Sequence, residues 1–84
     1  MRVEFFGVPR QRAGVSELEV EADTLGQLLG TLVARIPSLY ELISVDRLHP
    51  SFVANLNGDR FVDDPGTLLK ESDHVLILSA DAGG

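Results

Sequence analysis

One amphipathic helix constrains the fold of this chain more than any other segment does. Thr24, followed three residues later by Gln27, forms a capping-box pattern in which the side chains satisfy free amides at a helix start. Pro37 ends this helix because proline lacks an amide proton and disfavours helical geometry in the residue before it. Ser38 with Glu41 repeats the capping pattern and predicts a short second helical turn. The apolar stripe of the main helix needs a covering surface, and its residues recur at helical spacing: Leu25, Leu28, Leu29, Leu32, Val33 and Ile36.

Two alternating segments at the start of the chain predict an antiparallel hairpin. Residues 2–8 alternate in direction, so that Val3 and Phe5 share one face of a strand and Phe6 lies on the other. Residues 17–21 alternate acidic and apolar side chains, which is typical of a strand that is buried on one face only. A polar connection joins the two strands.

The second half of the chain predicts further strands. Residues 51–56 form one strand, and Asn57-Gly58 is the dipeptide preferred in a two-residue type I′ hairpin. A short strand over residues 59–62 then pairs back. Residues 67–70 predict a helical turn whose leucines close one end of the core.

The last apolar run determines the expected arrangement of the sheet. Val75, Leu76, Ile77 and Leu78 are continuously apolar, which favours a central strand. With the first strand beside it in parallel, we predict an α+β fold of the β-grasp type, a mixed sheet of four to five strands packed on one main helix. If Val75 and Ile77 face that helix, Leu76 and Leu78 emerge with Phe6 on the opposite face. No second long helix covers that face, so these three residues form a candidate partner-binding patch.

The segment Asp81-Ala82-Gly83-Gly84 follows the last strand closely and ends the sequence. Glycine has no Cβ to clash with the walls of a narrow channel, and the side chains of residues 80–84 are small except at Asp81. A slim arm of this length extends by about 17 Å. We therefore interpret residues 1–79 as a folded domain and residues 80–84 as a flexible tail that presents the carboxylate of Gly84 to a partner.

Composition disfavours several other classes of function. Thirteen acidic and seven basic residues give a formal charge of −6, which repels nucleic acid and favours a basic protein surface as partner. The absence of cysteine excludes disulfides and thiolate metal sites. No apolar run approaches the ~20 residues that span a bilayer, and the N-terminus does not resemble a signal peptide. We expect a cytoplasmic protein with no membrane partner.

The body of the chain shows no pattern of catalytic or metal-binding residues. His49 and His74 lack a second ligand at metal-binding spacing. Ser72-Asp73-His74 contains the residue types of a catalytic triad, but consecutive side chains cannot converge as a triad requires. We expect no bound metal or cofactor and no catalytic group of the chain's own. Arg10, in the first connection, is a candidate contact to an acidic patch on a partner.

The beginning and the end of the chain together resemble a known protein family. The opening Phe5-Phe6-Gly7-Val8-Pro9-Arg10, the leucine-rich helix behind Thr24, Asn57-Gly58, Asp73 before an apolar strand, and the closing Gly83-Gly84 are similar to the MoaD/ThiS family of ubiquitin-like sulfur carriers. The resemblance spans essentially the whole chain. The opening and the length resemble the small subunit of molybdopterin synthase most.

This resemblance implies a function for the C-terminus. An E1-like enzyme would use ATP to adenylate Gly84, and the adenylate would be converted to a thiocarboxylate that donates sulfur. The large subunit of molybdopterin synthase, or an equivalent acceptor, would receive the tail, while the carrier itself binds no cofactor. Carriers for thiamine, cysteine or another thiolated product share this terminal chemistry. So does a ubiquitin-like modifier that forms isopeptide bonds with lysines.

Overall fold

The computed structural model, which describes residues 1–83, is built on a five-stranded mixed sheet with one main helix across it. The sheet has the order β2-β1-β7-β5-β6, so the last strand lies at its centre, and β3 and β4 form a separate two-stranded ribbon. In chain order the elements are β1 (Arg2–Phe5), α1 (Val8–Ala13), β2 (Glu17–Glu19), α2 (Leu25–Arg35), a 3₁₀ helix (Pro37–Glu41), β3 (Ile43–Ser44), β4 (Arg47–Leu48), β5 (Phe52–Leu56), β6 (Arg60–Val62), β7 (His74–Ser79) and α3 (Ala80–Gly83).

The strand pairing confirms the predicted β-grasp arrangement. β1 is antiparallel to β2 and parallel to β7, with Val3 opposite Val75 and Phe5 opposite Ile77. β7 is antiparallel to β5, which in turn is antiparallel to β6. These four side chains of β1 and β7 are at most 1% exposed, because α2 covers this face of the sheet. The rest of the fully buried core comes mainly from leucines of α2, of the 3₁₀ helix and of the position that follows it: Leu25, Leu28, Leu29, Leu32, Leu39 and Leu42.

The predicted capping box at the start of α2 is confirmed. Thr24 Oγ1 accepts a hydrogen bond from the Gln27 amide at 3.2 Å, and Gln27 Oε1 accepts one from the Asp23 amide at 2.9 Å. The helix ends before Pro37, as the sequence predicts. α2 is therefore fixed at both ends by local sequence, and its leucine face is free to cover the sheet.

The helical turn predicted for residues 67–70 is wrong. Leu68 instead forms an isolated antiparallel bridge with Thr24. The extended backbone here supplies hydrogen-bond acceptors to the first amides of α2. The Leu25 amide donates to the carbonyl of Thr67 at 3.0 Å, and the next amide of α2 donates to the carbonyl of Pro65 at 2.9 Å. Because a helix leaves its first amides without internal partners, these tertiary bonds stabilise the extended form. Only Leu69 closes the core, since Leu68 is 77% exposed.

The first strand is shorter than predicted, because the chain turns at Gly7. Gly7 has a φ of 61°, a left-handed conformation that only glycine adopts easily, and it ends the extended run. Pro9 then lies in the first turn of α1, where its missing amide proton costs nothing. Residues 8–13 are consequently helical, where the sequence suggested the end of a strand and a polar connection.

Two contacts attach α1 to the 3₁₀ helix. The Ser38 hydroxyl donates to the carbonyl of Arg12 at 2.5 Å, and Arg12 Nη1 lies 3.1 Å from Glu41 Oε2. The sequence pattern suggested that Ser38 caps its own helix, but its side chain makes no such hydrogen bond. The predicted short helical segment is nevertheless present.

The β5–β6 hairpin has the predicted turn residues but a longer loop. Asn57 and Gly58 have φ values of 60° and 70°, the left-handed pair that a type I′ turn requires. Leu56 pairs with Arg60, however, so Asp59 is left as a third loop residue and β6 begins one residue later than predicted.

Asn57 also connects this hairpin to the start of β7. Its side chain donates to Asp73 Oδ1 at 3.0 Å and accepts from the His74 amide at 2.8 Å. Asp73 Oδ2 accepts from the Lys70 amide at 2.8 Å. These bonds favour the charged carboxylate, and the Asn57 bond, followed by the Lys70 bond, holds the pKa of Asp73 below its ordinary value.

We expect Asp73→Asn to lower the free energy of unfolding at neutral pH. A carboxyl whose pKa is lowered by folding contributes stability above its unfolded pKa and loses it as pH falls through the folded value. The difference from the wild type should therefore shrink in acid, below the ordinary value of 3.8. Urea unfolding at neutral and acidic pH measures this, with Asp59→Asn in the neighbouring loop as the control. A difference that is independent of pH would contradict the assignment.

The two glycines inside α2 have different surroundings. A Cβ at Gly26 would lie 3.1 Å from Pro65 Cβ, 3.2 Å from the Pro65 carbonyl oxygen and 3.3 Å from Asp46 Cβ. A Cβ at Gly30 would meet nothing within 4 Å. Close packing therefore accounts for Gly26, whereas Gly30 lies on an open side of the helix.

We expect Gly30→Ala to raise the free energy of unfolding by about 0.5 to 1 kcal/mol, because alanine loses less backbone entropy in a helix. Gly26→Ala should not raise the free energy of unfolding, because Pro65 and the start of α2 must move apart to make room for the new Cβ. Chemical denaturation of the two variants gives the comparison. Equal stabilisation by both substitutions would show that the contact with Pro65 imposes no constraint.

Candidate functional site

The sheet face opposite α2 carries a group of apolar side chains, which we call the open face. Val53 pairs with Leu78, and Asn55 pairs with both Leu76 and Phe61, so the side chains of these residues point to the same side. The Phe6 amide continues the β1–β7 ladder by donating to the carbonyl of Ile77, which places Phe6 beside Leu78. The open face comprises Phe6, Val53, Phe61, Leu76 and Leu78.

The exposure of these residues confirms the facing predicted for β1 and β7. Phe6 is 44% exposed, although its neighbour Phe5 is only 1% exposed, and Leu76 and Leu78 are half-buried. Sequence reasoning missed Phe61, which is 53% exposed. A two-residue turn at Asn57-Gly58 would have paired Phe61 with the buried Ala54. The third loop residue, Asp59, shifts the register by one and turns Phe61 to the open face. A partner-binding role for Phe6, Leu76 and Leu78 stays a prediction.

Charged groups occupy the other half of the same face. Arg2 Nε lies 3.4 Å from Glu17 Oε2 across the β1–β2 pair. Glu4 Oε1 lies 3.0 Å from His74 Nε2, without the alignment of a hydrogen bond, so their attraction depends on protonation of the imidazole. The face is thus polar towards β2 and the start of β7, and apolar towards the end of β7.

The end of β7 is also the base of the tail. Ser79 pairs with Phe52, and the Ala80 amide donates to the carbonyl of Ser51 at 2.8 Å. Residues 80–83 then form the single helical turn α3, where the sequence suggested a slim arm. A helical turn advances about 1.5 Å per residue, less than half the rise of an extended chain, so it is compact. Flexibility of the tail stays a prediction, and Gly84 lies outside the described residues.

The parallel pairing of β1 with β7 brings Arg10 to this end of the molecule. Parallel strands end at the same edge of a sheet, so the helix that follows β1 lies near the tail that follows β7. α1 packs against β7, and Arg10 is exposed on α1. Phe6, Arg10 and the base of the tail are therefore at one end of the sheet, as a common partner site requires.

The rest of the described chain offers little other chemistry. Within residues 1–83, no three histidine or acidic side chains come close enough together to hold a metal ion. None of the helices there has the length and apolar character needed to cross a membrane. Asp73 and His74 take part in the hydrogen bonds with Asn57, so the Ser72-Asp73-His74 sequence has a structural explanation.

Comparison with known proteins places the chain in a family. No curated protein matched the sequence. Among solved structures, small archaeal modifier protein 1 from Methanosarcina acetivorans is 27% identical, with a TM-score of 0.79 over 99% of this chain and 94% of that one. The Haloferax volcanii protein HVO 2177 is also 27% identical, with a TM-score of 0.74, and the match covers 99% of this chain and 84% of that one. A chain of the Amycolatopsis orientalis BexX/CysO complex shares the fold at 22% identity, with a TM-score of 0.77 over 99% and 98%. The family model described as the ThiS family matches residues 3–84, and because this match spans nearly the whole sequence, the chain belongs to that family of ubiquitin-like sulfur carriers.

Proposed function

We propose that this protein carries sulfur as a thiocarboxylate on Gly84. One observation carries the proposal: β7 supplies Leu76 and Leu78 to the open face and leads directly into the tail. A partner docked on the open face is therefore next to the tail at its base. Contiguous apolar side chains on a sheet face are typical of an interaction surface.

The proposed chemistry has two steps. A carboxylate is a poor electrophile, so an E1-like enzyme first joins Gly84 to the AMP part of ATP and releases pyrophosphate. A sulfur nucleophile then displaces AMP and leaves sulfur on the former carboxylate carbon. The carrier supplies the acyl group and the docking surface, and the acids and bases come from its partners.

The acceptor that we propose is the large subunit of a molybdopterin synthase. The opening Phe5-Phe6-Gly7-Val8-Pro9-Arg10, which resembles that of the small subunit of molybdopterin synthase, supports it. A carrier for cysteine synthesis or another thiolated product is the main alternative pathway, since all of them use the same terminal thiocarboxylate. Comparing sulfur transfer to a cyclic pterin with large subunit, and to a cysteine precursor with its synthase, distinguishes the pathways.

A second candidate function is protein modification. Two solved structures named small archaeal modifier protein 1, from Methanosarcina acetivorans and Haloferax volcanii, have the same fold, and the former is 27% identical to this chain. In such a modifier the activated Gly84 would be transferred to a lysine amine instead of to sulfur. Immunoblots of cells that express the protein would then show high-mass conjugates that require Gly84.

We expect the protein to gain the mass difference between sulfur and oxygen when it is incubated with its adenylating enzyme, ATP and a sulfur source. Intact-mass spectrometry measures this gain. Deletion of Gly84 should abolish it without changing the melting temperature, because the last strand ends at Ser79 and its last hydrogen bond to β5 is made at Ala80. An unmodified wild-type protein, with an enzyme active on another carrier, would refute the proposal.

We expect Phe6→Asp to leave the fold intact and to slow sulfur transfer at least tenfold, because it places a charge in the apolar half of the open face. Leu68→Asp is the matched control, since Leu68 is also exposed but lies beside the start of α2. Melting temperatures and single-turnover transfer rates test both variants. Unfolding by Phe6→Asp, or equal slowing by Leu68→Asp, would contradict the assignment of the docking surface.

A further inference from the structure

Lys70 is the only lysine among the 84 residues. The other basic side chains, apart from the two histidines, are arginines, whose guanidinium groups stay protonated and do not act as nucleophiles. An activated acyl group reacts with amines as well as with sulfur. Lys70 and the nitrogen of Met1 are therefore the amines at which the chain itself could be acylated.

The nitrogen of Met1 is not available for this reaction. It donates to the carbonyl of Val20 at 2.9 Å and lies 3.7 Å from Glu19 Oε2. Met1 is only 5% exposed, because its side chain belongs to the core. Acylation there would break the contact between the start of β1 and the end of β2.

Lys70, by contrast, is exposed on an ordered turn. Its amide donates to Asp73 Oδ2 at 2.8 Å, and its carbonyl accepts from the Asp73 amide at 3.0 Å. The Asn57 side chain donates to the other oxygen of the same carboxylate, Asp73 Oδ1. The backbone makes these bonds, and the ion pairs found within residues 1–83 do not involve the Lys70 side chain. The ammonium group is thus presented by a fixed turn and makes no ion pair within the described residues.

Lys70 and the tail lie at opposite ends of the central strand. Residues 71–73 connect Lys70 to β7, and the tail follows directly after the six residues of that strand. At ~3.3 Å per residue this strand is roughly 17 to 20 Å long. The tail of one molecule and the lysine of another can therefore meet end to end, without overlap of the two folded domains.

We propose that Lys70 is the acceptor of an isopeptide bond from Gly84 of a second copy of this chain. The inference rests on the proposed function for the activation of Gly84 by ATP. Lys70 Nζ first loses a proton to solvent, and its lone pair attacks the carbonyl carbon of the acyl-adenylate. The new C–N bond forms as the C–O bond to AMP breaks, AMP leaves with the electron pair, and the nitrogen gives up a second proton. The step involves no change of oxidation state.

The test uses the full chain with its adenylating enzyme and ATP, in the absence of a sulfur source. We expect covalent dimers and longer chains whose mass is lower by one water per bond. Trypsin should release a branched peptide in which residues 71–84 of one copy are attached to Lys70 of another. Lys70→Arg keeps the charge and the backbone hydrogen bonds, so it should fold normally and release pyrophosphate at the wild-type rate, yet form no dimer.

The possible results separate this inference from the proposed function. Pyrophosphate release without a dimer, a bond at the Met1 nitrogen, or a monomer that has lost one water would each overturn the role of Lys70 and leave the carrier function intact. Failure to release pyrophosphate, with an enzyme active on another carrier, would overturn both. Dimers in Lys70→Gln or Lys70→Arg would also exclude Lys70 as the acceptor.

Discussion

The parallel pairing of β1 with β7 is the interaction on which the rest of the structure depends. It places β7 at the centre of the sheet, so that Val75 and Ile77 are buried under α2 while Leu76 and Leu78 emerge on the open face. It also makes the two strands end at the same edge. Phe6, α1 and the base of the tail are therefore neighbours although the first and the last lie more than seventy residues apart in sequence.

The elements that sequence predicted well are those determined by local patterns. α2 has its capping box, its leucine stripe and its proline stop within one segment, and each of these features is present in the structure. The facing of β1 and β7 follows from alternation and from the lack of a second long helix. These features depend on hydrophobic periodicity, which a single sequence displays directly.

The elements that sequence missed are those determined by distant partners. Residues 67–70 are extended because Thr67 and the nearby Pro65 supply carbonyls to the start of α2, an interaction that no local pattern reveals. Gly7 ends β1 through its positive φ, and a glycine in the sequence does not by itself indicate this conformation. At the candidate site, Phe61 lies on the open face because of the register of the β5–β6 hairpin, which the sequence alone does not reveal. The chemistry proposed for Gly84 rests on resemblance to the family, because Gly84 lies outside the described residues.

The hydrogen bond from the Ala80 amide to the carbonyl of Ser51 fixes the point from which the tail leaves the sheet. Residues 81–84 follow that anchor, and if the helical turn α3 unwinds to full extension they span about 13 Å. If Gly84 reacts inside a partner, as proposed, the depth that the tail can reach is set by this hydrogen bond and not by the size of the domain. An added residue before Ser79 would alter the strand and leave this depth unchanged, whereas one added after Ala80 would shift the reacting carbon by a full residue length.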